Sequence, residues 1–419
     1  MHSLRQGHVR VASGRRPARL LSDQPATFLT RLRDRLVAWP IWLRVGAIGL
    51  LGRAFSLGLL LVIFAIAHAR GWTGMDATHP VPTAIDFLGM WDSRWYTEIA
   101  RHGYPQVLPL IDGKVGQNAW AFLPVFPAVV HAFMSTGASF ALVGATLSIV
   151  FATAATIVLH HLVSLRVSPR QAWWAAVFFA FSPFSFLFST AYAESLFVLL
   201  TFSALLFIER RQYEWAAITI IVAAFTRPGA LALSLVLGIH LVARWRTRHT
   251  DPLTRSDGGR IIAAGLLTSL AGLSWPLIAA AATGQPDAYL ATETAWWSNT
   301  VTNPHFLPLT PWFLVGKEYL GILGVVAVAV VAVAAVAWLC APSARRLGHV
   351  TAGYLWSYSL YLFAVFLPQQ SLPRVMLPLA PFFADERLTR SRRLRWALLW
   401  FFFLAQPVII AVLWLRGAP

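Results

Sequence analysis

The sequence predicts an all-α fold, a polytopic transmembrane helix bundle of about eleven spans, on three observations. Of the 419 residues, 57% are hydrophobic and only 12% are charged. A soluble domain is roughly a quarter charged, so this composition excludes a water-soluble enzyme. The apolar residues also arrive in repeated runs of about 20 residues, which is long enough to cross ~30 Å of hydrocarbon.

The longest apolar runs predict one class of span. They are residues 47–68, 139–164, 261–283, 318–340, 350–367 and 396–415. Shorter runs joined by tight polar turns predict two helical hairpins packed inside the bundle. They are residues 171–189, 194–208, 213–226 and 229–243. The segments 119–134 and 373–384 are interrupted by prolines, so the predicted number of spans ranges from about ten to about twelve.

Arginine placement predicts the orientation. Nine arginines precede the first long run, and the positive-inside rule therefore places the N-terminus in the cytoplasm. If 119–134 only enters the membrane face and 373–384 crosses, the later arginine clusters fall on the same side. The loops at about 70–117 and 284–317 are then external. This predicts a multi-pass protein of the cell (plasma) membrane, with any active site extracytoplasmic.

Two domains follow from this pattern. Residues 1–42 are predicted to be a basic, disordered cytoplasmic tail, and residues 43–419 a single transmembrane domain. The formal charge is +17, from 34 basic against 17 acidic residues. Because the arginines are spread over the loops between spans, they do not predict binding of nucleic acid. Cys340 is the single cysteine, which excludes internal disulfides and thiolate metal clusters.

Few ionisable residues fall at the predicted external ends of the spans. Asp92 belongs to the first external loop, Glu194 to a hairpin turn, and Arg227 and Arg374 each adjoin a proline. Such groups are costly near a membrane and tend to mark function. Each one taken singly also has a structural interpretation, as a helix cap for Glu194 or a snorkelling side chain for either arginine. Arg53, inside the first span, is expected to snorkel towards the cytoplasm.

The first external loop predicts an interfacial helix. Trp91, Trp95, Glu98 and His102 share one helical face by their spacing, and Asp92 lies on a neighbouring stripe. Tryptophan favours the boundary between membrane and water, so this helix is expected to hold Asp92 at headgroup level. The alternative is an amphipathic packing helix that Asp92 caps.

Several short motifs, taken together, resemble the PIG-V-type mannosyltransferases, which add the second mannose in GPI-anchor assembly and have bacterial relatives. The motifs, in chain order, are Trp91-Asp92 with Ile99 to Tyr104, Ala121 to Pro127, Ala191 to Phe197, Glu209-Arg210 and Thr226-Arg227. The resemblance extends from about residue 45 to about 245. Beyond it, the match rests mainly on Arg374 and the pattern of spans.

The family is similar to the GT-C glycosyltransferases, multi-pass helical enzymes with an acidic residue in the first external loop. The resemblance implies a polyprenyl- or dolichyl-phosphate mannose donor, no nucleotide-sugar site, no cofactor and no obligatory metal. Asp92 and Glu194 match acidic positions of the family. Pro228-Gly229 departs from the family's Ser-Asn, and Trp95-Tyr96 from a His-Phe pair. These departures concern the acceptor, and the GPI acceptor is not expected in a bacterium.

The resulting hypothesis is a mannosyltransferase that moves mannose from polyprenyl phosphate to an extracytoplasmic lipid-linked or glycan acceptor, by an inverting single displacement. Asp92 is the predicted catalytic base and Glu194 a second acidic site residue. Positive charge for the donor phosphate would come from Arg227, Arg374 and Arg94. The substrate cavity is expected to be lined by Trp91, Tyr96, Glu98, His102, Tyr104, Phe122 and Tyr192.

Two other functions stay open at this stage. A transporter or flippase for polyprenyl lipid or glycolipid would use the same cavity, with matched helix breaks in two halves. A non-catalytic relative would bind polyprenyl lipid without transferring sugar. The expected partners are the sugar donor, the glycolipid or glycan acceptor and membrane lipid. The acceptor, the sugar itself and any small membrane subunit are not determined by the sequence.

Overall fold

The structure, a computed structural model, describes residues 38–76, 79–302 and 304–417. The chain divides into two units between Arg44 and Val45. The elements described below belong to the second unit, apart from the first four residues of helix α1. The predicted basic tail, residues 1–42, lies outside the described residues except for 38–42.

Nearly all the regular structure is helical. The α-helices in chain order are α1 Ile41–Ala69, α2 Ala84–Leu88, α3 Ser93–His102, α4 Val125–Phe133, α5 Phe140–Ser164, α6 Pro169–Phe181, α7 Glu194–Glu209, α8 Tyr213–Ala224, α9 Leu231–Arg246, α10 Arg255–Thr283, α11 Ala288–Trp297, α12 Pro311–Cys340, α13 Pro342–Arg345, α14 His349–Val365, α15 Leu372–Val375, α16 Glu386–Thr389 and α17 Arg392–Ile409. Short 3-10 turns are Ala119–Ala121, Met134–Thr136, Ser185–Ser189 and Leu377–Ala384, and α17 continues as a π-turn, Ile410–Trp414.

Two small antiparallel hairpins complete the secondary structure of the described residues. Strands β1 (Gly74–Asp76) and β2 (His79–Pro80) form one hairpin, and β3 (Leu110–Ile111) and β4 (Lys114–Val115) form the other. Both lie in the predicted first external loop.

The described residues contain five helices that are long and apolar enough to cross a membrane, namely α1, α5, α10, α12 and α17 with its π-turn. The prediction of an all-α membrane helix bundle is therefore confirmed, and the protein is an integral membrane protein. The predicted hairpins correspond to the shorter helices α6 to α9, so the total number of spans stays a prediction. Helix α12 bends sharply at Gly321, whose φ of 57° is outside the helical region.

Side-chain caps fix where several of these helices begin. The Ser139 hydroxyl accepts the Leu142 N–H at the start of α5. Ser168 and Gln171 form a reciprocal capping box at the start of α6. The Thr254 hydroxyl caps α10 by accepting the Asp257 N–H. Each cap satisfies an amide that the helix itself leaves without an acceptor.

Helix α6 ends inside the bundle, where the sequence predicts a continuous apolar run over 171–189. The helix ends at Phe181, and the chain turns through Pro183 into the 3-10 turn Ser185–Ser189. Arg53 of α1 donates to the carbonyl oxygens of Ala180 and Ser185. The expectation that Arg53 snorkels to the cytoplasm is therefore wrong, since its side chain is buried and bonds one carbonyl at the end of α6 and one in the turn that follows.

The interrupted segment 119–134 contains no long helix. Its 3-10 turn, Ala119–Ala121, is capped by Asn118, and α4 has nine residues. A helix of that length extends about 14 Å, well short of the membrane's hydrocarbon thickness. Non-helical backbone of this kind needs protein partners at membrane depth, and the Val125 N–H finds one in the Phe225 carbonyl at 3.0 Å.

The arginine-bearing loops come together at one face of the bundle. Arg166, between α5 and α6, bonds Glu209 at the end of α7. Arg211 of the α7–α8 turn bonds Asp251 of the α9–α10 loop. Pairs further along the chain follow the same pattern, with Arg346 bonded to Glu386. These contacts define the arginine-rich face. The arginines of the predicted site, Arg94, Arg227 and Arg374, take no part in them.

Helices α5, α7 and α8 pack side by side, and α9 packs against α10 and α14. Because α7 runs from Glu194 to Glu209, its two ends are about 22 Å apart. Glu209 marks the arginine-rich face, so the opposite end of α7 lies deep across the bundle from it. The 3-10 turn Leu377–Ala384 connects Arg374, which precedes it, to the arginine-rich face. It ends beside Asp385, the residue before Glu386 of that face.

Candidate active site

Four charged side chains meet at the end of α7 that lies away from the arginine-rich face. Arg374 Nη1 donates to Asp92 Oδ2 over 2.6 Å. Arg374 Nε lies 3.3 Å from Glu194 Oε1, and the same oxygen accepts a hydrogen bond from Arg227 Nη1. These four residues, Asp92, Glu194, Arg227 and Arg374, are called the charged cluster below. Two carboxylates and two guanidinium groups balance, which is what a buried site requires.

Asp92 stands at the N-terminus of helix α3. Its own backbone N–H donates to the Tyr192 hydroxyl over 3.1 Å, and its side chain makes no capping bond. The carboxylate is therefore turned away from the helix it precedes and towards Arg374. This excludes the alternative in which Asp92 serves as the side-chain cap of α3.

Trp91 fixes the approach of the chain to Asp92. It has a φ of 57°, which is uncommon for a residue with a side chain, and it precedes α3 instead of belonging to it. The prediction that Trp91 lies on the same helical face as Trp95 is therefore wrong, because Trp91 is outside the helix. The Trp91 indole N–H donates to the Trp414 carbonyl over 2.7 Å, and the Trp414 indole N–H donates to the Phe87 carbonyl over 3.1 Å.

Glu194 opens helix α7, where the positive end of the helix dipole favours a carboxylate. Its side chain is 3% exposed, and no capping hydrogen bond involves it. The preceding turn is fixed from two sides. The Ala191 N–H donates to the Leu88 carbonyl over 3.0 Å, and the Ser148 hydroxyl donates to the Tyr192 carbonyl over 3.1 Å. The structural interpretation of Glu194 as a cap is wrong, because its partners are arginines.

Arg227 follows helix α8, and its backbone N–H donates to the Ala223 carbonyl over 3.1 Å. The chain then turns at Gly229, whose φ of 112° strains any residue with a Cβ. A Cβ there would also lie 3.0 Å from the Tyr358 ring.

Arg374 lies in the four-residue helix α15, far along the chain from the other three. The Tyr358 hydroxyl donates to the Val375 carbonyl over 2.9 Å. The guanidinium carbon of Arg374 also lies 5.4 Å from the centre of the Tyr192 ring. Neither Arg374 nor Arg227 snorkels to a lipid headgroup, since both are paired with carboxylates inside the protein.

The other predicted site residues separate into two groups. Tyr96, on the buried face of α3, packs against Phe122 with ring centres 5.3 Å apart, and Tyr192 is buried beside Asp92. Four residues instead line an open groove on the far side of α3, and these are Arg94, Glu98, His102 and Tyr104. The structure thus places Arg94 in the groove and outside the charged cluster.

Glu293 is a residue that sequence reasoning missed. It lies on α11 in the second predicted external loop, and it accepts a hydrogen bond from Tyr289. Burial raises the pKa of Glu293 from 4.5 to about 7, although the Tyr289 hydroxyl and the positive charge of Arg227 oppose the shift. A lone acidic residue just before the pair Trp296-Trp297 was the available signal.

Glu293→Gln should flatten the pH dependence of stability. Between about pH 4.5 and about pH 7, the folded protein holds a proton on Glu293 that the unfolded chain releases. Stability therefore falls as pH rises through this window and levels off above it. Glutamine stays neutral, so the variant should lose less thermal stability between about pH 5 and about pH 8. Thermal unfolding in detergent measures the effect. Thr294→Ser, which changes no titrating group, should keep the wild-type dependence.

Comparison with known proteins supports the resemblance found in the sequence. Residues 81–238 match the family model described as Mannosyltransferase (PIG-V). The predicted resemblance is confirmed over this region. It contains Asp92, Glu194 and Arg227, whereas Arg374 lies beyond it. The fold brings Arg374 from outside the matched region onto the three charged residues within it.

Curated relatives point the same way. The chain is 31% identical over 141 residues to GPI alpha-1,6-mannosyltransferase 2 of Cricetulus griseus, which covers 31% of this chain and 26% of the relative. With the human protein of the same name the identity is 31% over 134 residues, covering 29% of this chain and 25% of the relative. The alignments thus span about a quarter of the length of the relatives.

Proposed function

We propose that the protein is a membrane mannosyltransferase that uses a polyprenyl-phosphate mannose donor. The observation that carries the proposal is the charged cluster, which joins the two acidic positions of the PIG-V-like region to two arginines. The acceptor is proposed to be a lipid-linked or glycan hydroxyl. The orientation that fits the positive-inside rule puts the arginine-rich face in the cytoplasm and the charged cluster towards the outside of the plasma membrane.

The proposed reaction is a single displacement at the anomeric carbon. The acceptor oxygen forms a bond to that carbon while the bond from the carbon to the phosphate oxygen breaks. Asp92 takes the proton of the acceptor hydroxyl, and polyprenyl phosphate leaves with the bonding electron pair. The configuration inverts, so that a β-linked donor gives an α-mannoside.

Arg374 is proposed to couple donor binding to the readiness of the base. It bonds Asp92 in the free protein, so one oxygen of the Asp92 carboxylate is already occupied by a guanidinium donor. A donor phosphate would compete for the same guanidinium N–H groups, since arginine binds phosphate well. Arrival of the donor would then release the Asp92 carboxylate towards the acceptor. Arg374 and Arg227 would stabilise the leaving phosphate electrostatically, without an obligatory metal or a cofactor.

Glu194 is proposed to do more than neutralise the arginines. Its Oε2 is buried and accepts no hydrogen bond from the residues that the structure describes. A buried acceptor without a donor is costly. A sugar hydroxyl of the donor or acceptor would supply that donor, which fits Glu194 as a substrate-orienting carboxylate.

The direct test is transfer by the purified protein. Labelled polyprenyl-phosphate mannose is supplied with n-octyl α-mannoside as acceptor, and the label in the octyl glycolipid is followed. The expected result is an octyl disaccharide that forms with α stereochemistry. Protein reconstituted in vesicles provides the second arm, in which movement of the labelled lipid between leaflets is measured.

Three outcomes separate the functions under consideration. Label in the octyl product supports the transferase. Lipid movement between leaflets without any sugar transfer would overturn the proposal in favour of a transporter. Donor binding with neither transfer nor movement would overturn it in favour of a non-catalytic relative.

A further inference from the structure

An open groove runs along helix α3 and has a volume of about 710 Å³. That volume is within the range of small-molecule sites. Polar and aromatic side chains line it, and the principal ones are Arg94, Trp95, Glu98, His102, Tyr104 and Gln117. The groove is separate from the charged cluster, whose four residues do not line it.

One wall of the groove is a ridge on α3. Arg94, Glu98 and His102 are each four residues apart, so they share one helical face. His102 Nδ1 lies 3.2 Å from Glu98 Oε1, and the two side chains are 65% and 55% exposed. The ridge therefore offers hydrogen-bonding groups of both kinds to the solvent, with charges of both signs.

The opposite wall is held rigidly. Asn118 is buried, and its amide nitrogen donates to the Gly116 carbonyl and to the Thr292 hydroxyl, over 3.0 Å and 2.9 Å. The Trp120 indole N–H donates to the Pro105 carbonyl over 2.9 Å. The Tyr104 ring stacks on Trp120 at 4.6 Å between centres. A wall fixed by these bonds binds a ligand without having to be ordered first.

The groove begins in the first turn of α3, the helix that Asp92 precedes, on the side of α3 away from the charged cluster. Arg94 lies two residues after Asp92, in the first turn of α3, and His102 lies at its other end. The distance from Arg94 to His102 along the helix is about 12 Å. A ligand that reaches the far end is therefore much longer than the single sugar that accepts mannose.

We propose that this groove binds the glycan portion of the acceptor, beyond the sugar that receives the mannose. Donors and acceptors of mixed sign suit a neutral ligand rich in hydroxyl groups, whereas an anionic headgroup would need an excess of positive charge. The aromatic groups supply apolar surface for the C–H faces of sugar rings. The inference rests on the proposed function, and it assigns an acceptor of more than one sugar.

The test compares acceptors of two lengths. The acceptors are n-octyl α-mannoside and an n-octyl α-mannotrioside, and the readout is the ratio of their kcat/KM values. The double variant Glu98→Gln/His102→Gln should lower the preference for the trisaccharide about tenfold, which corresponds to losing one or two hydrogen bonds. Asp112→Asn, an exposed carboxylate in the same loop that does not line the groove, should keep the wild-type ratio.

A binding measurement keeps the inference separate from catalysis. Saturation-transfer NMR with methyl α-mannotrioside reports contact with the protein in the absence of any donor. Wild type and Asp112→Asn should give a signal that the double variant loses. An unchanged signal and an unchanged ratio in the double variant would overturn the groove assignment and leave the transferase untouched. If the wild type transfers no mannose, the proposed function fails, and the binding signal alone decides whether the groove holds a glycan.

Discussion

Asp92→Asn should lower the rate of mannose transfer by about 10²–10⁴-fold while the protein still folds and inserts. Asparagine has the same shape and can still accept the hydrogen bond from Arg374. It cannot take a proton from the acceptor hydroxyl, because its amide is not basic. The measurement is transfer by the purified variant, with its thermal unfolding in detergent as the test of folding.

Asp112→Asn is the matched control, since it makes the same chemical change at an exposed position of the same loop. It should transfer at the wild-type rate. Retention of most activity by the Asp92 variant would remove Asp92 from the role of base. A loss of activity together with a loss of folding would instead assign Asp92 to the assembly of the charged cluster.

Glu194→Gln should lower the free energy of unfolding by about 3–5 kcal/mol, more than any other single variant proposed here. Glu194 Oε1 accepts the bond from Arg227 and lies 3.3 Å from Arg374. Without its charge, two buried guanidinium groups remain with one carboxylate, Asp92, which pairs with Arg374 and leaves Arg227 without a counter-charge among the described pairs. The change should appear as a lower midpoint of thermal or chemical unfolding. Glu214→Gln breaks an exposed pair with Arg260 on the same bundle and should leave the midpoint unchanged.

The double variant Glu194→Gln/Arg227→Gln separates charge balance from catalysis. Removing Arg227 as well restores one carboxylate for one guanidinium, so the double variant should be more stable than Glu194→Gln alone. Transfer should stay low, because the proposed phosphate partner is gone. The single variant Arg227→Gln completes the comparison. If the loss of stability in the double variant equals the sum of the losses in the two single variants, Glu194 and Arg227 do not interact as the structure indicates.

The sequence predicts the helices better than it predicts where they break. Long apolar runs locate α5 to within one residue and locate the end of α10, which begins six residues before its run. They do so because a span needs about 20 apolar residues to cross the hydrocarbon. The run 171–189 is mostly apolar, yet α6 ends at Phe181, directly before Ser182-Pro183. Average hydropathy does not show that end, although Pro183 is a local signal for it. The distant arginine that bonds the Ala180 and Ser185 carbonyls cannot be predicted from the sequence.

The members of the charged cluster are predictable, but their pairing is not. Asp92, Glu194, Arg227 and Arg374 are noticeable as rare charges in apolar surroundings. Which carboxylate bonds which guanidinium depends on the packing of α3, α7 and α15, and sequence spacing carries no information about it. The same holds for Trp414, an apparently ordinary aromatic whose carbonyl fixes Trp91.

The buried end of α6 has a consequence for how the protein is made. Its carbonyls and the turn after it are bonded by Arg53 from α1 and by Gln406 from α17, whose amide donates to the Ser182 carbonyl over 3.0 Å. The α17 segment also supplies the Trp414 carbonyl. Because α17 follows every other helix that the structure describes, we expect a chain that does not yet contain α17 to sit in the membrane with its charged cluster unassembled.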